Sequence, residues 1–236
     1  MNLKGEKIMK YIFVDFEMHP ICKEYLEEKQ SCPYEIIEFG AVMLDEQYNI
    51  KKDFRRYVNP QYVKEIYKNI EDLTKITNAK LIGAKNFAQV LEEFLLWCDG
   101  DTEDFIVYAW SNCDLEQITK EIKLKHIQQD RRLYQLLENW VDFQKEYCEL
   151  VKAEKVLSLE KALELVGQDF IGDRHDALYD AKNTAELFII TRDTDKFFKL
   201  LRPIEEVINR TKEETSSFTF TLGDIFNFET CKLVFS

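Results

Sequence analysis

The chain has little that would place it in a membrane or an oxidising compartment. None of its 236 residues falls in a run near the ~18 apolar residues that a membrane-crossing helix requires, so no membrane partner is expected. Residues 1–10 carry charges and no apolar core, so no signal peptide is expected there. Any Cys-x-x-Cys pair is missing, because Cys22, Cys32, Cys98, Cys113, Cys148 and Cys231 are scattered. That spacing argues against a zinc knuckle and offers no disulfide framework. Reduced thiols filling core space in a cytoplasmic protein are the expectation. Positive charge is also in short supply, with 32 Lys and Arg against 44 Asp and Glu and a net charge of -12. Phosphate affinity comes from Lys and Arg, so the overall charge does not announce a nucleic-acid binder. The acid excess leaves another option open, a carboxylate cluster that needs metal.

What is present suits one α/β domain with an extension. Aromatic and β-branched residues at 11–18 predict a buried strand, followed by strands at 35–44 and 50–58. Short turns between these predict antiparallel pairing. A charged connection at 19–33 holds a possible short helix at 23–28. The period then changes, predicting a helix over 86–98, a buried strand at 105–110 parallel to the first, and a helix over 112–125. A helix at 131–137, a strand at 140–143, a helix opening at Ser158 and closing at Gly167, and a long helix over 176–190 complete the pattern. The expected architecture is a mixed five-stranded sheet, three antiparallel strands and then parallel ones, with helices on both faces. Residues 9–192 form the expected domain. Residues 193–236 form an extension rich in Phe and Thr, which must dock on the domain or on a second subunit, so a homodimer stays open.

The first strand carries Asp15 and Glu17. Side chains two apart on a strand share a face at about 7 Å, and buried charges must be paired or bind metal. A divalent cation answers that need; an edge strand with one wet face is the alternative. Asp114 stands just past the 105–110 strand, at the open end where α/β sheets place their sites. By itself it reads equally as a first-turn acid favoured by the helix dipole. His175 and Asp180 are five apart, which on one helix would separate them by ~140° of rotation. They converge only if His175 lies in a loop before the helix, as Gly172-Asp173-Arg174 indicates.

Asp15-Phe16-Glu17, then Asp114, then His175-x4-Asp180 resemble, in this order and spacing, the three motifs of the DEDDh (DnaQ-like) 3′–5′ exonucleases. Leu73-Thr74-Lys75-Ile76-Thr77 resembles a further segment of that family, with Lys75 where Gly is usual. The tyrosine-dependent sister group needs Tyr at position 176, which is Asp. Within the family the wording is most similar to exonucleases that trim RNA 3′ ends, including the KapD-like group. The resemblance covers residues 9–192, and the tail has no counterpart.

The resemblance implies a ribonuclease H-like fold and a metal-dependent 3′–5′ exonuclease acting on single-stranded RNA or DNA ends, RNA favoured, releasing nucleoside 5′-monophosphates. It further implies that Asp15, Glu17, Asp114 and Asp180 hold two Mg2+ or Mn2+ ions about 3.5–4 Å apart, with His175 as general base. Met18, just past the first motif, is the implied backbone contact to the terminal nucleotide. His19 and Trp110 are expected beside it as stacking surfaces, although Trp110 also reads as core. Lys120, Lys123, Lys125, Arg131 and Arg132 form either a track for the backbone or a solvated helix face. A non-catalytic nucleic-acid-binding module on the same fold is the competing class, and loss of one acid would be its signature. None is missing. A structural protein with surface carboxylates is a third reading, which titration with Mn2+ separates from the others.

Overall fold

The structure is a computed structural model in which residues 9–98 and 104–201 are described. In chain order the elements are β1 Met9–Pro20, α1 Leu26–Ser31, β2 Tyr34–Leu44, β3 Ile50–Asn59, α2 Lys68–Thr74, α3 Asn78–Leu81, β4 Lys85–Asn86 and α4 Phe87–Cys98. They continue with β5 Asp104–Ala109, α5 Cys113–Leu124, α6 Arg131–Glu138, β6 Trp140–Asp142, α7 Phe143–Leu150, α8 Leu159–Leu165, α9 Ala177–Arg192 and α10 Thr194–Leu200. The strands form one sheet in the order β4-β3-β2-β1-β5-β6. β1, β2 and β3 pair antiparallel, whereas β5 and β6 continue parallel to β1.

β1 is buried on both faces because its side chains alternate between two cores. Ile12, Val14 and Phe16 face one, filled by Val90 and Phe94 of α4, Ile118 and Ile122 of α5, and Leu136 of α6. Phe13 faces the other, with Tyr147 of α7, Leu163 of α8, Phe188 of α9 and Phe197 of α10. Asp15 and Glu17 follow Phe13 on that second face at spacing two. A three-layer packing results, with β1 at its centre.

The five expected strands are present, and a sixth joins them. β4 is a two-residue parallel pairing of Lys85 and Asn86 with Val58 and Asn59 at the sheet edge, too short to leave a periodic pattern. α2, α3 and α7 are equally short of periodic signal, and side-chain caps start two of them. Thr77 accepts from the Lys80 backbone and Asp142 from the Lys145 backbone. The helix of the first connection lies at Leu26–Ser31, three residues beyond its expected place. Ser158 caps α8 through the Lys161 backbone N–H, as expected. The extension beyond residue 201 lies outside the described residues. Among the described residues no helix is long and apolar enough to cross a membrane.

The expected basic track is largely paired within the chain. Lys125 is buried between Glu35 and Glu121, 2.7 Å from each. Glu121 accepts from the Ile36 backbone at 2.8 Å, and Glu35 accepts from the Gln61 and Tyr62 backbones at 2.8 and 2.6 Å. This triad fastens α5 to β2. Lys120 pairs with Glu116, and Arg132 with Glu92 and Asp130.

Candidate active site

Three elements bring the sequence-predicted acids together. β1 supplies Asp15 and Glu17, α5 supplies Asp114 in its first turn, and α9 supplies Asp180 in its own. The β1–α5 junction is tied by the Phe16 backbone N–H, which donates to Asp114 Oδ1 at 3.1 Å. On the β1–α9 side, ligand atoms of Glu17, His175 and Asp180 lie within 4.8 Å of one another.

Close approach of α9 depends on Gly40. In the sheet Asp15 lies opposite Gly40. A Cβ on Gly40 would lie 2.1 Å from the Ala177 carbonyl carbon and 2.2 Å from the Leu178 nitrogen. A glycine inside a strand often marks such backbone contact. Ala177, Ala181 and Ala185 line the helix face that meets the sheet, and all three are fully buried.

His175 precedes α9, as its spacing required. Its φ of +58° is left-handed, which turns the chain from loop into helix. Asp176 then caps α9, its Oδ1 accepting from the Tyr179 backbone at 3.2 Å.

The electrostatics are those of an acid cluster short of countercharge. Burial, then Asp114, Asp180 and Glu17, push Asp15 well above the usual carboxylate range. Burial, then Asp180, Glu38 and Asp114, do the same to Glu17. Burial pushes Asp114 up to about 7 against a hydrogen bond from Phe16. Burial also pushes Asp180 up to about 7, helped by Asp176 and Asp114. Among the described residues no Lys or Arg forms an ion pair with any of the four. Oxygen donors crowded in this way suit hard divalent cations, so the residues present fit the group that the resemblance implies. Burial and Arg174 lower the His175 pKa, favouring the neutral ring.

The three candidate substrate contacts divide. Met18 is partly buried beside a register shift in which Ile37 of β2 is skipped, since Glu17 pairs with Glu38 and Met18 with Ile36. Such bulges break regular pairing next to active sites. His19 does not belong with Met18. It is fully buried, its Nδ1 lies 2.8 Å from the Pro20 carbonyl, and its Nε2 accepts from the Tyr67 backbone at 2.9 Å. With both nitrogens engaged, it pins the β3–α2 connection to β1. Trp110 is likewise core, packed against Phe143 and Tyr147 at 6.0 and 5.8 Å between ring centroids.

Comparison with known proteins follows this geometry. The RNase T family model, described as Exonuclease, matches residues 12–188. The chain belongs to this exonuclease family. Within it, the chain is similar to ERI1 exoribonuclease 2 of Danio rerio, 30% identical over 196 residues, covering 75% of this chain and 34% of that protein. It is also similar to 3′–5′ exoribonuclease 1 of Mus musculus, 25% identical over 193 residues, covering 78% of this chain and 54% of that protein. The chain therefore spans about half or less of these relatives' own length. Among solved structures, the nuclease domain of 3′hExo, a DEDDh family member bound to rAMP, has a TM-score of 0.65 at 23% identity, covering 84% of this chain and 96% of that one. At that identity the likeness shows the fold, which is ribonuclease H-like.

Two residues near the exonuclease motifs escaped the sequence reading. Glu38, pushed up to about 7 by burial, sits opposite Glu17, and its signal was the same as that of the first motif, an acid inside an apolar strand. Gly40 was the other, an isolated glycine in that strand.

Proposed function

We propose that the chain is a metal-dependent 3′–5′ exonuclease that removes nucleoside 5′-monophosphates from single-stranded 3′ ends, with RNA favoured over DNA. The observation carrying this reading is the convergence of Glu17, His175 and Asp180 within 4.8 Å, beside Asp15 and Asp114. RNA is favoured because the relatives named above are exoribonucleases.

In this reading Asp15, Glu17, Asp114 and Asp180 hold two Mg2+ or Mn2+ ions. Bound there, the ions would supply Lewis acidity, lowering the pKa of a water and offsetting charge on the leaving 3′ oxygen. His175, kept neutral by burial, takes the proton of the attacking water. The new bond joins that water oxygen to phosphorus. The bond that breaks joins phosphorus to the 3′ oxygen, which takes a proton from solvent water and stays on the shortened strand as a hydroxyl. Met18, at the irregular end of the β1–β2 pairing, offers backbone groups to the terminal nucleotide.

The test uses matched 5′-labelled RNA and DNA oligomers with Mn2+. A ladder shortening from the 3′ end, faster for RNA and abolished by EDTA, is expected. Binding of both oligomers with no shortening would instead identify a non-catalytic binding module.

A further inference from the structure

We infer that Arg55 is a positioning residue for His175, acting through Asp176. The inference rests on the exonuclease reading of the site and goes beyond the motif residues.

Asp15 lies opposite Gly40, and Gly40 opposite Arg55, so the three form a row across β1, β2 and β3. Gly40 has no side chain, and the start of α9 occupies the space above it. Arg55 can therefore reach that helix from the neighbouring strand. Its Nε donates to Glu38 Oε1 at 2.7 Å, and a terminal nitrogen donates to Asp176 Oδ2 at 2.6 Å. The same nitrogen donates to the Tyr57 hydroxyl at 3.2 Å. Glu38 is fully buried, and its second oxygen has no partner among the described residues. The planar guanidinium is thus held from three directions.

Asp176 is the residue after His175, and both its oxygens are in use. Oδ1 caps α9 through Tyr179 while Oδ2 takes the Arg55 charge. This matters because His175 is left-handed. A residue with a Cβ is disfavoured there, and such conformations persist only where the surroundings over-determine them. The far flank of the loop is pinned by buried Asn183, which accepts from the Ile171 N–H and donates to its carbonyl, both at 2.9 Å. The flank next to His175 is pinned by Arg55. A lysine at 55 would offer one compact ammonium, unable to reproduce the flat fork that joins Glu38 to Asp176.

A double-mutant cycle separates aiming the imidazole from merely supporting the fold. Arg55→Gln, Arg55→Lys, His175→Ala and the two doubles are assayed on the RNA oligomer with Mn2+. Arg55→Gln is expected to lower kcat tenfold or more with KM within twofold, and Arg55→Lys to fall between it and wild type. In the His175→Ala background either change should cost less than twofold, because no imidazole remains to be misplaced. The His175 imidazole resonances of the metal-free protein should also shift in Arg55→Gln. Wild-type kcat in Arg55→Gln, or an equal loss in both backgrounds, would overturn the inference. If Arg55→Gln does not fold, Arg55→Lys carries the same cycle and the same resonance measurement. A wild-type protein inert on every oligomer would overturn the exonuclease reading instead, and the resonances would still decide the role of Arg55.

Discussion

His175 joins a rare backbone conformation to an unusual set of neighbours. Its left-handed φ places the imidazole within reach of Glu17 and Asp180, and burial keeps it neutral. A general base contributes typically ~10²–10⁴ in rate. His175→Ala should therefore lose about that factor in kcat while Mn2+ binding, held by the carboxylates, survives; kinetics and calorimetry on one preparation check both halves. Lys75 shows the same backbone conformation without the chemistry. It closes α2 at φ +59°, its N–H bonded to the Glu71 carbonyl at 2.8 Å. Gly is the usual residue in the resembling segment, and the loop keeps a glycine-compatible path with lysine in place. Lys75→Gly relieves the left-handed penalty but loosens the unfolded chain. A net gain of about 0.5–1 kcal/mol in urea unfolding is expected, with activity unchanged.

The approach of α9 to β2 is the contact on which the site depends. It brings Asp180 over Asp15 only because Gly40 leaves room. Gly40→Ala forces the helix outward. Overpacking of this kind costs typically 1–3 kcal/mol, and here the shift also separates Asp180 and His175 from Glu17. The expected variant is less stable and has both lost activity and weakened Mn2+ affinity, readable by thermal unfolding and calorimetry. These elements also show what a sequence does and does not reveal. The β1 acids were legible because carboxylates inside an apolar strand need an explanation. The loop position of His175 followed from helix geometry, and α9 from its period. β4, α2, α3 and α7 were not legible, since elements of two to eight residues leave little period. His19, expected as a stacking surface, lies buried because nearness in sequence to a motif does not say which way a ring turns, and Trp110 takes the core place that was its other reading. Arg55 sits in a strand crowded with charge, Lys51-Lys52-Asp53 and Arg56 beside it, where only the tertiary packing decides which acid it meets.

On the proposed reading, the carboxylate cluster makes the stability of the protein depend on pH and metal together. Burial pushes Asp114 and Asp180 up to about 7 in the folded chain, against about 4 for a free Asp. Between those values the folded state keeps protons that the unfolded state releases. Stability of the metal-free protein therefore falls as pH rises from about 4 through about 7, and Asp15 and Glu17, also held well above the usual carboxylate range, act in the same direction. In EDTA the thermal midpoint should be lower at pH 8 than at pH 5. Mn2+ at about 100 times its Kd should add ~2.7 kcal/mol for each site filled. The midpoint gain should be larger at pH 8, where the ion displaces fewer protons. A midpoint that rises with pH in EDTA, or is indifferent to Mn2+, would contradict this picture.

The most direct measurement is calorimetric titration of Mn2+ into the metal-free protein above pH 7, beside the Asp15→Asn and Asp180→Asn variants. Saturable heat with a stoichiometry of about two ions is expected for wild type, with at least one site lost in each variant. No saturable heat in wild type, or identical isotherms for all three proteins, would show that these carboxylates are not a metal site.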